Sequence, residues 1–172
     1  MMNKSVKLGI QGRPDVPPRL FDLVPRYIEK YGYKDCLFAG KVNKQWVKYD
    51  GKKFYEITNS ISYGLLKLGV KKGDRIALIA NNAPEWNMID FAIQQVGAIC
   101  IPIYPTISHD DYKYIFNHSE ASIAFFTNKH LYSKVADIIA DIPTIKETYL
   151  IRASEDMKSL QDLIDLGNDN RS

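Results

Sequence analysis

The side chains best suited to chemistry in this sequence are Asn81, Asn82, Glu85 and Trp86, which follow the apolar run RIALIA. Amides, a carboxylate and an indole just past a strand are the kind of groups α/β proteins aim at ligands. A dinucleotide site is disfavoured there. Its fingerprint needs glycines so that backbone can approach the pyrophosphate, and Asn81, Asn82, Ala83 and Pro84 occupy those places. A structured turn followed by a core tryptophan explains the same residues.

Other constellations are weaker. Gly64 and Gly69 have P-loop spacing, but Val70 stands where the phosphate-binding lysine belongs, and the residues between them read as helix. His109, Asp110 and Asp111 carry metal-type atoms. Adjacent helical residues point in different directions, however, and acidic residues at a helix start suit its dipole. His118 and His130 sit in no motif, and no G-x-S-x-G elbow occurs. No catalytic, cofactor-binding or metal-binding residue is therefore assigned.

The elements that would hold these groups are legible. Phe21, Val24, Ile28 and Tyr31 predict a helix from about Leu20 to Tyr31, and Cys36–Ala39 and Trp46–Tyr49 an antiparallel hairpin. Asp50 is a helix N-cap; Phe54, Ile57, Ile61, Leu65 and Leu68 form one stripe, and Gly69 a stop. RIALIA, AICIPI and ASIAFF read as buried parallel strands covered on both faces, and ETYLI as a fourth strand. Between them, Pro84 opens a helix with Trp86, Ile89, Ile93 and Val96 inward. Ser108 and Asp111 suggest a capping box for a helix through about His118, with Tyr112, Ile115 and Phe116 inward. Leu131, Val135, Ile138 and Ile139 predict one further helix.

The fold class is thus α/β: a partial doubly wound, mainly parallel sheet with helices on both faces, plus a small N-terminal antiparallel hairpin. Strand order is not readable. Residues 1–19 read as a loose leader, 20–152 as the folded body and 153–172 as a tail.

Composition bounds the rest. With 172 residues, 45% hydrophobic and 25% charged, the chain has the make-up of one globular domain. Its net charge of +3 comes from dispersed lysines, which argues against a nucleic-acid partner. Cys36 and Cys100, each in an apolar run, read as buried free thiols and point to a reducing, cytoplasmic setting. No apolar run approaches the roughly 20 residues of a spanning helix, and no secretory signal is visible, which leaves peripheral membrane contact open.

The runs Gly73-Asp74-Arg75-Ile76-Ala77, Asn81-Asn82, Pro84-Glu85-Trp86, Gly97-Ala98 and Ile101-Pro102-Ile103-Tyr104-Pro105-Thr106 resemble the long-chain acyl-CoA synthetases of the AMP-forming, acyl-adenylating superfamily. The likeness extends to Asp111-Tyr112 and Ile115-Phe116-Asn117-His118, and spans about Leu20 to Ile151. It implies a ligase that joins a fatty acid to coenzyme A using Mg·ATP, through an acyl-adenylate. The family's Ser/Thr/Gly-rich phosphate loop, ribose-binding aspartate motif and C-terminal-domain lysine have no match here. The resemblance therefore implies the opening part of the large adenylating domain, with 153–172 leading toward the phosphate loop. On that basis this chain alone is expected to be inactive and to bind none of ATP, Mg or CoA. Its fatty acid partner belongs to the full-length enzyme. An exposed apolar patch or sheet edge, with a tendency to self-associate, is expected. The alternatives are a free-standing α/β binding or regulatory module, or a non-functional truncated remnant.

Overall fold

The computed structural model describes residues 19–42 and 44–169. Most of the expected leader, residues 1–18, and the end of the expected tail lie outside the described residues.

A 3-10 turn, Leu20–Asp22, leads into α1 (Leu23–Tyr31), which anchors through buried Val24. The hairpin follows, β1 (Phe38–Val42) paired antiparallel with β2 (Gln45–Tyr49), in its own two-stranded sheet. Cys36 lies outside it and is exposed, contrary to expectation, because β1 starts later than the apolar run suggested. The inner face of the hairpin is fastened to the body: Phe38 stacks on Phe54 at 4.4 Å. A side chain at Gly40 would run into the Pro84 ring, so only glycine permits that approach.

The body is built as its periodicity requires. α2 (Gly51–Lys67) starts at Asp50, whose carboxylate accepts from the Lys53 N–H at 2.7 Å, and stops at Gly69, which takes a φ of 83°. β3 (Arg75–Ile79), α3 (Pro84–Gln95), β4 (Ile99–Ile103), α4 (His109–Ser119), β5 (Ile123–Phe126) and β6 (Glu147–Leu150) then alternate. All pairings in the main sheet are parallel, in the order β4-β3-β5-β6. Strand alternation splits the core in two. Ile76, Leu78, Ile123 and Phe125 face α2 and α3, while Ala77, Ile79, Ala124 and Phe126 face α4 and the helices after β5.

Two further expectations need correction. β4 is an edge strand and not a doubly covered one: Ile99 is 49% exposed and Pro102 is exposed. The Ile99 N–H points to Asp74 O on the β3 side, so by alternation Pro102 faces the free edge, where its missing N–H disrupts no ladder. The helix expected over Leu131–Ile139 is two, α5 (Lys129–Ser133) and α6 (Ala136–Asp141). The chain leaves helical geometry at Val135 (φ −134°, ψ 12°), and Leu131, Val135, Ile138 and Ile139 all stay in the core across the break.

Within the expected tail, residues 160–168 form a helix. α7 (Leu160–Asn168) is closed at its start by a Ser159–Asp162 capping box and buries Leu160 and Leu163. It crosses α2 at very short range. A Cβ on Gly167 would lie within contact of the Ser60 carbonyl, and one on Gly64 would meet the Leu163 carbonyl. The Ser60 hydroxyl hydrogen-bonds the Asn168 side chain at 2.7 Å.

Candidate functional site

The carboxyl ends of the parallel strands hold the one buried carboxylate among the described residues. After β3 the chain passes exposed Asn81 and Asn82 and enters α3 through Ala83, which offers no side-chain cap. Pro84 fits the first turn, where its absent N–H costs nothing. Glu85 comes next and is only 7% exposed. Its carboxylate accepts from Arg152 Nη1 at 2.8 Å and Nη2 at 3.3 Å, and from the Tyr49 hydroxyl at 3.2 Å.

Three segments therefore meet on one carboxylate: the end of β2, the start of α3 and the residues after β6. Burial favours the neutral acid, but hydrogen bonds from Arg152 and Tyr49 outweigh it and hold the Glu85 carboxyl below its usual range. The Tyr49 phenol is pushed up by burial and by the Glu85 charge. A carboxylate held this way is a poor general base, since its proton affinity is lowered and its lone pairs are engaged.

Beside this knot lies a cleft of about 420 Å³ lined by Phe38, Gly40, Asn82, Pro84, Trp86 and Asn87, among others. The Asn81 N–H donates to Thr127 Oγ1 at 2.9 Å, tying the turn to the end of β5. Among the described residues that line the cleft there is no nucleophile and no cation. A triphosphate would meet a proline ring and a helix start already carrying the Glu85 charge, so these residues do not suit one.

The remaining sequence candidates are dispersed. Asp111 serves its capping box with Ser108, and His109 lies 2.9 Å from Asp137 on α6 at the surface. His118 stacks on Tyr114, and His130 is exposed on α5. Gly64 belongs to the α2–α7 crossing. No group of three or more His, Cys, Asp or Glu side chains is placed to hold a metal among the described residues. Sequence reasoning found Glu85 but missed Tyr49 and Arg152. A buried glutamate in an apolar first turn demands a cation, and Arg152, just past the end of a parallel strand, was positioned to supply it.

A profile of AMP-binding enzymes matches residues 25–170. The chain belongs to the AMP-binding enzyme family. Among its relatives is the long-chain-fatty-acid–CoA ligase FadD15 of Mycobacterium bovis, 35% identical over 91 residues, covering 53% of this chain and 15% of that protein. The fold matches the long-chain-fatty-acid-CoA ligase FadD1 from Archaeoglobus fulgidus with a TM-score of 0.74 at 22% identity, over 86% of this chain and 30% of that one. It also matches the A domain of a carboxylic acid reductase from Segniliparus rugosus, solved with AMP and a co-purified carboxylic acid. There the TM-score is 0.72 at 14% identity, over 87% of this chain and 30% of that one. The present chain thus spans less than a third of the length of each of these proteins.

Proposed function

We propose that this chain is the scaffold portion of an AMP-forming long-chain fatty acid–CoA ligase, the N-terminal part of its large domain, and that it does not catalyse the reaction alone. The whole enzyme would convert fatty acid, ATP and CoA to acyl-CoA, AMP and pyrophosphate, with Mg neutralising phosphate charge. The observation that carries this reading is the family match over residues 25–170 together with relatives that are themselves fatty acid–CoA ligases.

The division of labour rests on the site. The charged groups at the strand ends are consumed by the Glu85–Arg152–Tyr49 knot, which joins hairpin, helix and strand. What this chain contributes is a rigid floor. Its own residues hold no ATP, Mg or CoA in this reading, and residues 20–152 together with α7 act as one unit. A cytoplasmic, reducing setting agrees with Cys36 and Cys100 being free thiols.

Two measurements test the proposal. Isothermal titration of the chain with Mg·ATP should give no saturable binding; micromolar affinity would refute the scaffold role. The polypeptide encoded by the whole reading frame should form AMP only when palmitate and CoA are both supplied. Turnover by the 172-residue chain would refute the scaffold role, and none by the whole frame product would overturn the ligase assignment.

A further inference from the structure

The outer face of the β1–β2 hairpin is unlike the rest of the surface. Phe38, Gly40 and Tyr49 turn inward onto α2, Pro84 and Glu85, so the opposite face projects Ala39, Lys41, Trp46 and Lys48. Lys41 and Trp46 are directly opposed across the ladder, and the Lys41 ammonium sits 5.0 Å from the centre of the indole ring. Trp46 is nevertheless 64% exposed, far more than core packing would leave a tryptophan. Lys44, at the turn, holds a φ of 66°, a conformation that favours glycine or asparagine over lysine. From Phe38 to Tyr49 the sequence has three lysines and no acidic residue. Among the described residues, none of the three lysines has a carboxylate partner.

We propose that this face is a docking surface for an anionic lipid bilayer. An indole prefers the headgroup level, where its ring is half desolvated and its N–H stays hydrated. Lysine stems lie along apolar surface while their ammonium groups reach lipid phosphates and carboxylates. Each lysine near such a membrane strengthens binding about fivefold, so three give about a hundredfold, and the indole adds an apolar anchor. Nucleic acid fits less well, since it calls for a longer basic stripe and several stacking rings, and this hairpin has one exposed indole and no arginine. A protein partner would need a larger apolar centre than Ala39 and Trp46 supply. The hairpin is held firmly by its inner face, so the patch is preformed.

The test uses the whole 172-residue chain and vesicles, without ATP, fatty acid or CoA, so it succeeds or fails independently of the ligase assignment. Co-sedimentation should show binding to phosphatidylcholine–phosphatidylserine vesicles at low salt, much weaker binding at high salt, and little to phosphatidylcholine alone. Tryptophan emission should shift to the blue with the anionic vesicles, and Trp46→Phe should abolish most of the shift. The triple variant Lys41→Gln, Lys44→Gly, Lys48→Gln should bind about a hundredfold more weakly, and Lys44→Gly should leave the fold intact because glycine suits that φ. A control with the same charge loss, Lys113→Gln, Lys134→Gln, Lys146→Gln, should lose less than about fivefold. Equal losses in both triples, no dependence on phosphatidylserine, or tight binding to an oligonucleotide but not to vesicles would overturn the proposal.

Discussion

Replacing Gly167 by alanine probes the close crossing of α2 and α7. In an ordinary helix interior the change should stabilise by about 1 kcal/mol, because alanine is the better helix former. Here the helix has no positive φ at that position, so backbone strain plays no part. The obstacle is α2. The new methyl would intrude on the Ser60 carbonyl and lie 2.9 Å from the Gly64 nitrogen. To reach normal carbon–oxygen separation the two helices must move apart by about 1 Å, and overpacking of this kind costs roughly 1–3 kcal/mol. The shift also breaks the Ser60–Asn168 hydrogen bond, worth about 1 kcal/mol. The propensity gain offsets one of these losses, leaving a net destabilisation of about 1–3 kcal/mol. For a chain of this size that lowers Tm by a few degrees to about ten. Thermal unfolding followed by circular dichroism, with urea titration as a second measure, reads it directly. A Tm equal to or above that of the parent chain would refute the close crossing.

Two further outcomes follow from the site. Glu85→Gln leaves Arg152 with a neutral partner and should destabilise by about 1–3 kcal/mol near neutral pH, less than a fully buried pair because Arg152 is partly exposed. Since the folded Glu85 carboxyl titrates below its ordinary value of 4.5, its contribution is full above that pH and disappears as pH falls through the lower folded value. Urea midpoints of parent and variant should converge as pH falls below 4.5, and a constant gap would count against the ion pair. Of the two thiols, Cys36 should react rapidly with a disulfide reagent while Cys100 resists, because burial and the neighbouring Asp90 push its thiol up, well out of reach of neutral pH. Two fast equivalents per native chain would contradict that.

Local signals were legible where one segment decides the outcome. Asp50, the 54–68 stripe and Gly69 specify α2 without help, and Ser108 with Asp111 specifies the start of α4. β3 is as buried as its apolar run promised. The apolar run of β4 reads as a doubly covered strand, whereas Pro102, which lacks an N–H, points to an edge. The bend at Val135 is invisible to periodicity, since all four apolar residues stay buried whether the helix is continuous or broken. α7 reads as tail only if its surroundings are ignored: its stripe is short, and its partner α2 lies about a hundred residues earlier. The knot at Glu85 is likewise a product of the parallel sheet, which brings the carboxyl ends of β3 and β6 to the same side. The sequence of β3 and α3 alone holds no hint of which cation arrives.

The long separation between α2 and α7 also imposes an order on synthesis. Ser60 waits for Asn168, 108 residues downstream, before its hydroxyl is satisfied by that partner. At about 5–20 residues per second, a ribosome takes roughly 5–20 s to deliver it. During that interval the glycine-lined side of α2 is complete but bare, and the nascent chain presents a groove shaped for a helix that does not yet exist. The contact thus forms well after α2 itself has been made, and the time before closure is when a chaperone or a wrong helix would compete for that groove.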